Sequence, residues 1–217
     1  VSVPPFSVPY RDKKKGDGKM EGWAPLHVHT TFSNFDGTIG VDALFDWAEK
    51  EGVPAVAVTD HGMMSAVPKI YKRASKSSVT PIYGCELYMD SVESVSEDDK
   101  KDPPRHLLAL ALSEKGFSNL VKILSIAHKT NFRKKPRTTL DVLSSYSEDI
   151  YFSSACIAGE LPSLLLRNRE SDAVDFYKKM SEATRGNFAV ELVDTGDEDV
   201  RGAAMNRRLY DFAEHVG

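Results

Sequence analysis

Residues 55–59 (AVAVT) form an unbroken apolar run of strand length that ends in Asp60-His61-Gly62. A run without polar alternation suits a strand covered on both faces, the condition met in a parallel sheet flanked by helices. The flanking segments obey the same constraint. Residues 24–29 read as a preceding strand, and residues 41–51 carry Leu44, Phe45, Trp47 and Ala48 as a helical stripe closed by Gly52. Residues 65–76 read as a helix with Pro68 in its first turn, and residues 80–83 as a third strand leading into Gly84-Cys85-Glu86-Leu87-Tyr88. Strand, helix, strand, helix, strand with short connections is the pattern of βαβ units and places the chain in the α/β class.

Further along, residues 90–104 are an acidic, polar insert read as a solvated loop. Residues 106–112 (HLLALAL) read as a strand, 114–128 as an amphipathic helix and 131–137 (NFRKKPR) as a basic loop. A short helix over 138–144 and a strand over 149–153 lead to Cys156. Helices over 160–167 and 171–184, a strand over 188–192 and a helix over 199–216 complete the chain, where another strand would be due. Residues 1–23, Pro-rich and then rich in Lys, Gly and Asp, read as an arm or linker, and 24–217 as the domain proper. The missing initial Met points to a fragment.

Composition narrows the classes. At 217 residues, 41% of them hydrophobic, the chain can bury one sizeable core. A formal net charge of −4 excludes a generally basic nucleic-acid coat, though not a local patch or metal-mediated phosphate contact. Two cysteines give no disulfide framework and suit a reducing cytoplasm. No apolar run has the roughly 18 residues of a membrane span, and no signal-peptide order opens the chain.

The polar residues at the strand ends carry the chemistry. His27 and His29 alternate around Val28, so on a strand both imidazoles leave one face, and Asp36 follows in the next loop. His61 ends the second strand, Glu86 follows the third, and Cys156 follows a later one. In parallel sheets, strand C-terminal ends share a face where sites are assembled. His106 begins its strand. It joins the same rim if the third strand runs on through Tyr88 and the insert returns the chain antiparallel. Taken singly, each has a plain structural explanation: a turn pair at Asp36-Gly37, a strand-to-loop corner at His61, a buried small hydrophobe at Cys156. Their joint placement favours a metal site. Cys85 faces away from Glu86, while His128 and His215 read as surface residues. Imidazole, carboxylate and one thiolate suit zinc, manganese or iron rather than an all-oxygen cage. No G-x-x-x-x-G-K-[ST], G-x-G-x-x-G or G-x-S-x-G motif is present. Metal-assisted phosphoester hydrolysis is the reaction class that fits this donor set best.

LHVHTTFS…FDG, PAVAVTDHG and PIYGCELYMD together resemble the PHP (polymerase and histidinol phosphatase) family. HLLALALSEKGFSNLVKILSIAH, Lys135-Pro136-Arg137 and SACIAGELPSLLL are similar to its N-terminal form in bacterial replicative DNA polymerase III alpha subunits. The resemblance implies a distorted (β/α)7 barrel, here lacking its last strand, with up to three divalent ions at one rim. It implies ligand roles for His27, His29, Asp36, His61, Glu86, His106 and Cys156, with His27, His29, Asp36 and His61 also catalytic. It further implies 3′–5′ exonuclease proofreading on single-stranded or mismatched DNA 3′ ends, and the rest of a polymerase and replisome subunits as partners. A free-standing phosphatase for a small phosphomonoester and a non-catalytic scaffold are the alternatives. Two departures stand out. The family's closing N-D-x-H segment, which adds an Asp and a His, is absent, as are the polymerising domains. Arg133, Lys134, Lys135 and Arg137 suit either DNA phosphates or a solvated charge run.

Overall fold

The computed structural model describes residues 22–34, 36–91, 103–194 and 200–216. Residues 1–21 of the expected arm and 92–102 of the expected acidic loop lie outside them.

Helix α1 (Val41–Glu51) buries Val41, Leu44, Phe45 and Ala48 on one side. It stops at Gly52, whose φ of 71° lets its N–H turn back to the carbonyls of Ala48 and Glu49. Strand β1 (Ala55–Val58) follows, then α2 (Val67–Ala74), with proline in its first turn. This helix carries the chain across to β2 (Thr80–Met89), which pairs with β1 in parallel from Thr80 to Tyr83.

The ten residues of β2 are the spine of the sheet. Its second half pairs antiparallel with β3 (Arg105–Ala111), with Tyr88 opposite His106 and Glu86 opposite Leu108. The third strand therefore does run on through Tyr88, and the chain does return antiparallel. Helix α3 (Glu114–Thr130) then packs beneath the sheet through Leu120, Ile123, Leu124 and Ala127, its first turn capped by the Ser113 hydroxyl.

Where a basic loop was expected, the chain instead makes a tight hairpin, β4 (Phe132–Arg133) and β5 (Lys135–Thr138). The last residues of β5 pair in parallel with Tyr88 and Met89 of β2. Helix α4 (Leu140–Tyr146) leads to β6 (Ile150–Ser153), antiparallel to β3. Helices α5 (Glu160–Leu166) and α6 (Glu170–Ala183) precede β7 (Phe188–Ala189), which is parallel to β6 and shorter than the expected strand over 188–192. Helix α7 (Val200–Val216) covers the same side as α5. The sheet runs β4-β5-β2-β3-β6-β7, with β1 beside β2. It is a mixed sheet in an α/β fold.

Three apolar clusters hold the sheet among the described residues, the smallest being Ala57, Leu108, Leu110 and Ala155. Another joins α1, β1 and α2 through Phe45, Val56 and Ile70. The largest joins β2, β3 and β6 to the later helices through Leu107, Ile123, Phe152, Leu161 and Phe176.

The expected first strand, residues 24–29, makes no regular ladder. It lies extended beside β1, with the N–H groups of Ala57 and Thr59 donating to the carbonyls of Pro25 and Val28. The return bonds are diverted. Val28 N–H donates to the Thr59 hydroxyl at 2.9 Å and Thr30 N–H to Asp60 Oδ1 at 2.7 Å. Side chains thus take the positions that a partner strand's carbonyls would fill.

Candidate metal centre

Glu86 is the hub of the rim. It sits on the central strand with its side chain 1% exposed, and four imidazoles face it. His27 Nε2 and His106 Nδ1 lie 3.4 and 2.9 Å from its Oε1. His29 Nε2 and His61 Nδ1 lie 3.4 and 2.7 Å from its Oε2. Asp36, 60% exposed on the side chain, reaches His61 Nε2 at 2.5 Å. Cys156 Sγ stands 3.6 Å from Glu86 Oε1 and 3.4 Å from His106 Nδ1. All seven residues singled out in the sequence are therefore brought together. Cys85 is held apart, fully buried, with its thiol 3.2 Å from the Asp60 carbonyl. His128 is exposed at the end of α3, its Nε2 2.9 Å from the Gly62 carbonyl.

Local chemistry explains the convergence. Asp60, 1% exposed, accepts from Thr30 N–H, from the Thr30 hydroxyl at 2.9 Å and from the Ser33 hydroxyl at 2.6 Å. The Ser33 hydroxyl in turn accepts from His61 N–H at 3.1 Å. One buried carboxylate thus locks the loop after His29 onto the end of β1. Asp36 is held by a turn at Gly37, where a Cβ would lie 1.9 Å from the Thr30 carbonyl oxygen. The Cys156 loop is laid against the start of β3 by His106 N–H donating to the Ala158 carbonyl at 3.2 Å.

Glu191 is a member that the sequence reading missed. Its Oε1 lies 2.6 Å from His27 Nδ1, its Oε2 accepts from the Ser153 hydroxyl, and its N–H donates to the Ser154 hydroxyl at 2.9 Å. Its position just after β7 is the strand-end position that drew attention to Glu86 and Cys156, so the same rule applied to FAVEL finds it. Asp60 lay in view as the neighbour of His61, but nothing local marks its burial.

The electrostatics follow from this crowding. Burial alone would raise the Glu86 pKa, but His106, His27 and His61 against it hold the carboxyl well below its ordinary range. His27 is disfavoured as a cation by burial, yet Glu191 and Glu86 outweigh that and raise it to about 10. Glu86 also raises His61. Burial lowers His29, keeping it neutral with a lone pair to offer. Asp36 is lowered by the His61 ring, and burial pushes the Cys156 thiol up to about 11.

The donor set fits a shared cation. Three triads have donor atoms mutually within 4.8 Å: His27, His29 and Glu86; His29, Asp36 and His61; His61, Glu86 and His106. His29 Nδ1, His61 Nδ1 and Glu86 Oε2 are buried without a hydrogen bond, although His61 Nδ1 and Glu86 Oε2 are close. His61 Nδ1 and Glu86 Oε2 thus approach to 2.7 Å without an aligned hydrogen bond, as two donors to one cation would. Donors about 2.0–2.1 Å from one tetrahedral ion stand about 3.3 Å apart. The 3.4 Å approaches of His27 and His29 to Glu86 match that spacing. The Glu191 bond to His27 Nδ1 fixes the ring so that Nε2 faces the centre, the outer-shell support that ligating histidines use.

The PHP domain family model matches residues 25–195. DNA polymerase III subunit alpha of Borreliella burgdorferi is 35% identical over 196 residues, spanning 88% of this chain and 17% of that protein. The Aquifex aeolicus subunit is 32% identical, over 87% of this chain and 17% of that protein. An error-prone DNA polymerase of Symbiobacterium thermophilum is 31% identical, over 88% and 18%. The chain thus spans about a sixth of the length of these relatives. A crystal structure assigned as a metal-dependent phosphoesterase from Bifidobacterium adolescentis has a TM-score of 0.57 at 14% identity, over 90% of this chain and 84% of that one. At that identity the likeness speaks for the fold.

Proposed function

The chain belongs to the PHP-domain family, and from that premise we propose that its histidine-rich rim is a divalent-metal centre for phosphoester hydrolysis. The substrate class we assign is the 3′ end of single-stranded or mismatched DNA, removed by 3′–5′ exonuclease action. The setting is a cytoplasmic DNA polymerase III alpha subunit and its replisome partners, in keeping with the relatives. Residues 24–217 would form the PHP domain and the residues before them a linker. The observation that carries this reading is a single one: a nearly inaccessible carboxylate, Glu86, facing four imidazoles and a thiol.

His27, His29, Asp36, His61, Glu86, His106 and Cys156 would hold zinc, manganese or iron, in up to three positions. When bound, the ions supply an activated water and neutralise charge on the phosphoryl oxygens. The remaining work falls to the chain itself. Glu191 holds the His27 Nδ1 proton and aims Nε2 inward. His61 is held between Glu86 and Asp36, so its ring cannot swing away. Asp36, the most exposed of the set, is placed to take a proton from an incoming water and pass it to solvent. Asp60 keeps the His29 loop closed on β1.

A barrel is the architecture that best reconciles these contacts. The extended residues 25–29 flank β1, β7 lies at the far edge of the sheet, and the His27–Glu191 bond spans the two edges. That supports the (β/α)7 reading. Hydrolysis of 3′-labelled single-stranded and mismatched DNA, with manganese or zinc added, tests the function against a His27→Ala plus His29→Ala control. Metal-dependent loss of 3′ nucleotides by the wild type alone is expected. Activity equal to the control refutes catalysis, and preferential hydrolysis of a small phosphomonoester assigns the site to a phosphatase instead.

A further inference from the structure

The basic hairpin divides its cations between two jobs. Arg137 is 1% exposed, and its Nη1 lies 3.2 Å from Asp90 Oδ1. Arg133 pairs with the same carboxylate oxygen, and Asn131 Nδ2 donates to Asp90 Oδ2 at 2.7 Å. These charges are used internally, to clamp the hairpin to the end of β2. Lys134 turns the hairpin with a φ of 49°, a left-handed conformation that is strained for a non-glycine residue and needs such anchoring.

Lys135 comes out of the clamp differently. It is exposed, and its Nζ stands 5.0 Å from the centroid of the Tyr88 ring. Tyr88 is on the same face of β2 as Glu86, two residues on. Its ring stacks on His61 at 5.9 Å and meets His106 edge-on at 5.3 Å. Gly62 leaves room for that ring, since a Cβ there would lie 2.9 Å from it. The ammonium thus contacts the same ring that packs against two of the converging imidazoles. Tyr88 holds this exposed ammonium by a cation–ring contact and a side-chain hydrogen bond to its hydroxyl, both weak in water, so the cation can exchange them for a charge-assisted bond to a phosphate.

Resting on the phosphoesterase reading above, we propose that Lys135 binds a non-scissile phosphate next to the one at the metal centre. A single DNA strand carries such a neighbour and a small phosphomonoester does not, so Lys135 favours the polynucleotide. Tyr88 is the platform that positions it.

The test is the salt dependence of binding. Fluorescence anisotropy would follow a labelled oligothymidylate with cleavage-resistant phosphorothioate linkages at its 3′ end, in the presence of manganese. Loss of one phosphate contact lowers the slope of log K against log salt by about 0.7 for a single strand. Lys135→Ala is expected to show that drop, Lys135→Arg to restore the slope, and Lys134→Ala to leave it unchanged. An unaltered slope in Lys135→Ala overturns the proposal, as does an equal drop in both alanine variants. If the slope drops as expected but the wild type hydrolyses no phosphoester, the Lys135 contact stands and the catalytic reading falls.

Discussion

Glu86 sets the chemistry at the scale of single residues. Burial would ordinarily neutralise a carboxyl, and the surrounding imidazoles keep this one ionised. The same contacts predict proton linkage. His27, raised to about 10, is a cation at neutral pH, and a metal taking its Nε2 must expel that proton. Metal affinity should therefore rise about tenfold per pH unit from this group between about pH 7 and about pH 9. Calorimetric titrations in buffers of different ionisation heat would detect the released proton. An affinity flat across that range contradicts the assignment. In the metal-free protein the sign is opposite. The pair of His27 with Glu191 and Glu86 contributes its full stability below the ordinary imidazole value of 6.5 and loses it as pH climbs through about 10. Removing the outer-shell charge should also tell: Glu191→Gln is expected to weaken metal binding about 10–100-fold, measured by competition with a chelating dye. Equal affinity in the variant would mean that Glu191 does not orient His27.

At the scale of elements, the extended residues 25–29 and the hairpin mark where sequence reading succeeded and where it stopped. The helix at α1 was legible to the residue, because its stripe and Gly52 report only local geometry. The antiparallel return of β3 was legible from the need to place His106 beside Glu86. The missing ladder at residues 25–29 was not legible, since diversion of the Val28 and Thr30 amides depends on Thr59 and Asp60, some thirty residues away. The hairpin at Lys134 was hidden for a similar reason. A run of four cations reads as a phosphate contact or a solvated face until Asp90, across the insert, is known to bury one of them. The loop between His29 and Ser33 depends on one carboxylate. Asp60→Ala would leave the buried Thr30 N–H and hydroxyl and the Ser33 hydroxyl without their acceptor, at a cost of about 3 kcal/mol in denaturant unfolding. A cost below about 1 kcal/mol would show that water replaces the carboxylate.

At the scale of the whole molecule, the rim draws its groups from both parts of the sheet. His27, His29 and His61 come from the side of α1, β1 and α2, while Glu86, His106 and Cys156 come from the side of β2, β3 and β6. An ion held there ties both halves of the sheet together, and it binds the native state alone. Metal at about 100 times its dissociation constant should then add about 2.7 kcal/mol to unfolding. For a chain of this size that is a rise of roughly 5–10 °C in Tm. Among the described residues no helix is long and apolar enough to cross a membrane. The most direct measurement is the metal content of the purified chain, taken by elemental analysis after loading and exhaustive dialysis. The wild type should retain at least one divalent ion per chain, and the His27→Ala plus His29→Ala variant should lose it. A wild type that retains none, or a variant that retains as much, would contradict a metal centre at this rim.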